Sequence, residues 1–114
     1  MAILKNVTTG RVIAENVEKV SDWWRRLVGF IPKDEIGPDD GLWFDNCATI
    51  HTLGMRRPID AVFLDKHRRV LKVQRAISQH RIAVTCIGAF AVVELGEATL
   101  EGRDLLVGDE LALE

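Results

Sequence analysis

Hydrophobic and polar positions alternate with a period of two through most of the chain, which predicts short strands separated by turn formers. "LKNVTTGRVIAENV" reads as a hairpin turning at Thr8, Thr9 and Gly10, and "LWF" as a further strand. "CATIHT" and "IDAVFLD" are the next two, the second joined to "VLKVQRAI" through the polar connection "DKHRR". "RIAVTCIGAFAVVEL" is the most apolar and β-branched run; it is too long for one straight strand, so Gly88 marks a bulge or bend. A helical turn over "EATLEGRDL", a turn at Gly108–Asp109 and an edge strand "ELALE" close the pattern. One segment departs from it. Val17, Val20, Trp24, Leu27 and Val28 recur at three- and four-residue spacing, with Asn16 as N-cap, Arg25 and Arg26 in the last turn and Gly29 just beyond. That spacing predicts a helix over 17–28, with Trp23 flanking its apolar stripe. The expected fold is therefore α+β: a strongly bent mixed or antiparallel sheet forming a partial β-barrel, with one main helix packed on it.

A chain of 114 residues, 47% hydrophobic and 28% charged, is long enough for one domain over 1–114 with its own core. The net charge of −2 argues against a nucleic-acid partner. Charge is uneven: residues 51–81 carry eight Lys/Arg against two Asp, and residues 94–114 carry seven acids against Arg103 alone. In a β-rich fold such blocks interleave, so the two stretches face each other or water, with a basic patch for an anionic partner as the alternative. Cys47 and Cys86 lack zinc or redox spacing and sit in apolar runs, where free thiols behave as small hydrophobes. Neither a leader pattern nor an 18-residue apolar span is present, so the expectation is a cytoplasmic protein without membrane contact.

The stretch "CATIHTLGMRRPIDAVFLD" concentrates polar chemistry between two apolar strands. Asp60 stands at a strand mouth behind Pro58, ahead of a run too apolar to leave a free charge, and is expected to be buried and to accept N–H groups from the 52–57 turn. His51 ends one strand and Asp60 begins the next, and an aspartate that fixes a histidine tautomer is half of many acid–base arrangements. No hydroxyl stands in a nucleophile context, and Cys47 and His51 on one strand lie roughly 13 Å apart at about 3.3 Å per residue. His51, Asp60, Met55 and Cys47 make a soft, mixed set without metal-ligand spacing, so neither a metal nor a cofactor is expected. Gly54 permits close backbone approach, Met55 is adaptable, and Arg56 and Arg57 can grip an anion.

The ordered set Gly29-Phe30-Ile31, Gly41-Leu42-Trp43-Phe44, Pro58-Ile59-Asp60-Ala61-Val62-Phe63-Leu64-Asp65 and Gly108-Asp109, spanning roughly Arg11 to Leu113, resembles the bacterial and archaeal family known as domain of unknown function 192. The resemblance implies a β-rich fold with a peripheral helix and brings no agreed activity with it. Three function classes stay open. The first, favoured here, is a non-catalytic binding or accessory module taking a small anion, peptide or protein partner through His51, Gly54, Met55, Arg56, Arg57 and Asp60. The second is a hydrolase-type enzyme using His51 and Asp60 as acid and base. The third is a structural self-association domain, monomer or homodimer.

Overall fold

The computed structural model describes residues 2–20, 37–52, 57–78, 81 and 83–114. Its strands are β1 (Ala2–Asn6), β2 (Arg11–Val20), β3 (Asp40–Asp45), β4 (Thr49–Ile50), β5 (Ile59–Leu64), β6 (Val70–Ile77), β7 (Val84–Thr85), β8 (Ala91–Gly96) and β9 (Leu111–Leu113). Seven of them form one sheet in the order β6-β5-β8-β3-β2-β1-β9, and β4 pairs with β7 in a separate two-stranded ribbon. The large sheet is mixed: β2 and β3 run parallel and every other neighbouring pair is antiparallel.

Local chemistry accounts for the hairpins. Asn6 Oδ1 accepts the Thr8 and Thr9 N–H groups, and Gly10 takes the left-handed φ of 79° that closes the β1–β2 turn. Asn6 Nδ2 also donates to Asp109 Oδ2 at 2.9 Å, tying this turn to the buried start of the last strand. The long apolar run splits at a turn over Cys86–Ala89 with Gly88 at φ 88°, where the chain leaves the ribbon and enters the large sheet.

The central strands β3, β5 and β8 are covered on both faces, which their near-continuous apolar sequences require. One face packs Trp43, Val62, Leu64, Val93 and Leu95 against Leu4, Ile13 and Leu111, with Leu100 and Leu105 closing over them. The other packs Leu42, Phe44, Ala61, Phe63 and Val92 beneath Ile50 of β4 and Val84 of β7. Phe63 and Val93 thus lie on opposite sides of the sheet, and Val73 packs with Val93.

The α+β expectation is corrected here. Val17 and Val20, read as the first turn of a helix over 17–28, belong to the ten-residue strand β2, and the described residues form an all-β structure with no helix. Positions 21–28, with Trp23, Trp24, Leu27 and Val28, lie outside the described residues. The three-residue spacing of Val17 and Val20 misled because β2 contributes to both cores: Val17 joins one and Val20 the other, so an odd spacing on a strand imitates a helical step. Nor does the sheet close into a barrel. It ends at β6 and β9, whose starts meet at an isolated bridge between Arg69 and Glu110, with backbone hydrogen bonds from Val70 N–H to the Asp109 carbonyl, Gly108 N–H to the Val70 carbonyl and Leu111 N–H to the Arg68 carbonyl, but without pairing along the strands.

Gly41, on β3 between β2 and β8, permits a close approach of its neighbours. A Cβ there would lie 2.8 Å from Leu95 Cδ2, 3.0 Å from the Glu94 carbonyl oxygen and 3.2 Å from Val17 Cγ2. Because a backbone oxygen is among the obstacles, Gly41→Ala is expected to destabilise by about 1–3 kcal/mol, read as a lowered urea midpoint. An unchanged midpoint would mean that β3 and β8 separate freely.

Candidate functional site

Asp60 is the predicted site residue that the fold most clearly sets in a recess. Its residue is 4% exposed, and on β5 it shares a face with Val62 and Leu64. Opposite it, β6 carries one extra residue: Ile59 pairs with Ile77 while Ala61 pairs with Gln74. The bulge puts Ala76 at φ 50° and turns its N–H onto Asp60 Oδ1 at 2.8 Å. The Leu100 N–H is a second donor, so among the described residues the carboxylate is held by β6 and by the turn after β8.

That turn is adjacent because β5 and β8 are antiparallel, which sets the start of one beside the end of the other (Ile59 opposite Gly96). Arg75, Ala76, Glu97, Ala98 and Glu101 complete the walls of a recess of about 310 Å³ with Asp60 in its lining. Burial pushes the Asp60 carboxyl above its ordinary pKa and the Glu97 charge adds to the rise, while the Ala76 and Leu100 N–H groups and the Arg75 guanidinium oppose it. Ala98, at φ 67°, is a second alanine in the left-handed region. Alanine has no side-chain polar group to favour that conformation, so two such residues in one recess mark a locally strained backbone.

The other predicted residues go elsewhere. His51 follows β4, and the β4–β7 ribbon covers the face of β5 that carries Ile59, Ala61 and Phe63, opposite to the face of Asp60. Next to it, Thr52 Oγ1 donates to the Ser78 carbonyl and accepts the Arg81 N–H, both at 2.8 Å, which extends the ribbon and fixes this end of it. Arg57 is exposed, and Gly54, Met55 and Arg56 lie outside the described residues. Cys47 and Cys86 pack against the ribbon-side core. Among the described residues, no group of three or more His, Cys, Asp or Glu could hold a metal ion.

Sequence reading missed Glu97 and Glu101, taken there as part of an acidic tail, and Arg75 and Ala76, taken as ordinary strand. The β5–β8 pairing brings the two glutamates to Asp60, and the β5–β6 pairing brings Arg75 and Ala76. It also passed over Glu94 in "VVEL". This residue lies on the central strand β8 between Leu42 of β3 and Ala61 of β5, 3% exposed, on the face shared with Val92. Burial there raises its pKa to about 8, so the carboxyl is largely neutral at physiological pH.

The described residues define an all-β fold built on a seven-stranded mixed sheet with a covering ribbon. Residues 4–113 match the family model DUF192, "Uncharacterized ACR, COG1430", and the chain belongs to that family. Two solved structures share the fold. A protein of unknown function from Novosphingobium aromaticivorans DSM 12444 is 19% identical with a TM-score of 0.82, covering 98% of this chain and 84% of that one. A chain from Sinorhizobium meliloti 1021 described as "a putative transcription regulator" is 20% identical with a TM-score of 0.81, covering 98% and 91%. No curated protein matches.

Proposed function

We propose that the protein is a non-catalytic binding module, and that the Asp60 recess receives a basic group, the ammonium of a lysine or the guanidinium of an arginine, from a peptide or protein partner. The observation behind this reading is the recess itself, in which a nearly inaccessible carboxyl and two glutamates, Glu97 and Glu101, stand against one guanidinium, Arg75. Such a concave, acidic, partly desolvated surface favours a cation that can donate several hydrogen bonds. A binding role is preferred to hydrolysis because Asp60 and the ribbon bearing His51 occupy opposite faces of β5.

The probes are Nα-acetyl-lysine amide and Nα-acetyl-arginine amide, titrated against the protein by ¹H–¹⁵N NMR. Saturable shifts are expected at the Ala76, Glu97, Ala98 and Glu101 amides, and the Glu97→Gln/Glu101→Gln double variant should weaken binding at least several-fold because two attractive charges are lost. Affinity should fall as pH is lowered and the Asp60 carboxyl, whose pKa burial raises, takes up a proton. Equal titrations of both proteins, or shifts confined to the His51 ribbon, would overturn the assignment. Shifts with acetate or phosphate at Arg57 instead would restore the anion reading of this region.

A further inference from the structure

We propose a second ligand site, independent of the Asp60 recess, at the opposite end of β5: a recess for a small aryl anion, meaning a planar ring that carries a carboxylate or phosphate. Its walls come from the ends of three neighbouring strands, with Asp45 and Asn46 after β3, Asp65, Lys66 and Arg68 in the β5–β6 hairpin, and Phe90 with Ala91 at the start of β8. The volume is about 280 Å³, at the small end for ligand sites.

The polar groups in this recess divide by what already engages them. Asp45 Oδ1 accepts the Trp43 Nε1–H at 2.9 Å and its Oδ2 meets Lys19 Nζ at 2.9 Å. Burial alone would raise the Asp45 pKa, but these two partners and the Arg68 charge hold it below the usual range. Asp65 Oδ1 accepts the His67 and Arg69 N–H groups at 2.7 and 3.0 Å, and the Arg69 bond leads the causes that keep its pKa low. Both carboxylates are thus committed to the fold. The cations are less so: the described residues offer Lys66 no ion-pair partner, and the Arg68 guanidinium, which acts on Asp45 only through its charge, makes no hydrogen bond among them and lies over the Trp43 ring at 5.7 Å from its centroid. A guanidinium held on an aromatic face keeps its in-plane N–H donors available. Uncommitted donors beside satisfied carboxylates define a site for an incoming anion.

The aromatic part of the ligand is read from Phe90. Its backbone is pinned between neighbours, donating to the Leu64 carbonyl at 2.7 Å and accepting the Cys47 N–H at 3.2 Å, yet the residue is 50% exposed. A fixed, exposed ring on the wall of a recess is a stacking surface. Backbone conformation supports the same location. Arg68 occupies the left-handed position (φ 63°) of a tight hairpin, where the Arg68 N–H bonds the Asp65 carbonyl and glycine would be strain-free, and Asn46 across the recess is also left-handed at φ 53°. The four described non-glycine residues with positive φ are Asn46 and Arg68 here and Ala76 and Ala98 in the Asp60 recess. Asparagine adopts this region readily, so the strain in this recess is that of Arg68, and such strain collects where a site, rather than the turn, selects the side chain.

The test uses phenyl phosphate and inorganic phosphate in ¹H–¹⁵N NMR titrations to about 20 mM, where a complex of 1 mM dissociation constant is nearly saturated. Expected are saturable shifts at the Asn46, Lys66, Arg68 and Ala91 amides, with phenyl phosphate binding at least several-fold more tightly than inorganic phosphate. Phe90→Ala should bring the two probes to the same affinity. Arg68→Gly is the decisive variant: it relieves the left-handed strain, so its melting temperature should hold or rise, while phenyl phosphate binding should fall by about tenfold. Loss of binding in a protein of undiminished stability cannot be ascribed to misfolding. The proposal is overturned if no saturable shift appears at these amides, if phosphate and phenyl phosphate bind alike to the wild type, or if Arg68→Gly binds as the wild type does.

Discussion

Glutamine in place of Glu94 is expected to stabilise the protein by about 2–3 kcal/mol at pH 7.5 and to flatten its stability between pH 5 and 8. The folded-state pKa of Glu94 is raised from 4.5 to about 8 by burial. Between those values the unfolded chain ionises this carboxyl while the folded chain keeps it protonated, so folding takes up a proton. Stability is therefore fullest below about pH 4.5 and declines as pH rises toward 8, by roughly 1.4 kcal/mol per unit for a whole proton. Glutamine is nearly isosteric with the protonated acid and has no such dependence, although its buried amide leaves donors to satisfy, which trims the gain. Urea unfolding of both proteins at pH 5 and 7.5 measures the effect. Parallel stability–pH curves would show that Glu94 ionises in the folded protein near its ordinary value. The position between Leu42 and Ala61 on the central strand explains the size of the shift: both cross-strand neighbours are apolar and the ribbon-side core covers the face.

Trp43→Ala is expected to cost about 3–5 kcal/mol, enough to unfold much of a marginally stable chain at 37 °C. Trp43 is 1% exposed and among the largest fully buried side chains, packed in the same core as Leu4, Val62 and Val93. Its removal also deprives Asp45 of the indole N–H and Arg68 of the ring beneath its guanidinium. Trp43→Phe should retain most of the packing, losing about 1–2 kcal/mol with the hydrogen bond and the smaller ring. Thermal and urea denaturation of the two variants separate volume from polar contact; equal losses would mean that the hydrogen bond, not packing, dominates at this position.

How far the candidate site could be read in advance depends on which interactions are local. Asp60 was legible, because Pro58 and the apolar run behind it place a carboxylate where it is buried. Its donors were not, since Ala76 reaches it through a bulge on β6 and Leu100 through a turn forty residues downstream, and neither leaves a trace near position 60. The proximity of His51 in sequence suggested a pair, but a strand exposes successive residues on opposite faces and the ribbon settled on the face that Asp60 does not use. The clearest misreading was of Val17–Val20 as the first turn of a helix. A strand that sends residues into two cores carries apolar residues at odd as well as even spacings, and no period in a short window separates it from a helix.

The amino-acid sequence by itself determined the local elements: the Asn6–Gly10 turn, the Asp65–Arg69 hairpin, the break at Gly88 and the strands "LWF", "IDAVFL" and "LAL" all follow from turn chemistry and from contiguous apolar runs, which act over a few residues. Only the tertiary structure decided the order β6-β5-β8-β3-β2-β1-β9, the parallel step between β2 and β3, and the assignment of Val17 and Val20 to different cores. It also decided that Glu94 would be enclosed between Leu42 and Ala61 and that Glu97 and Glu101 would stand over Asp60. Strand order and burial are set by which distant surfaces exclude water together, a property of the whole chain that no local window contains.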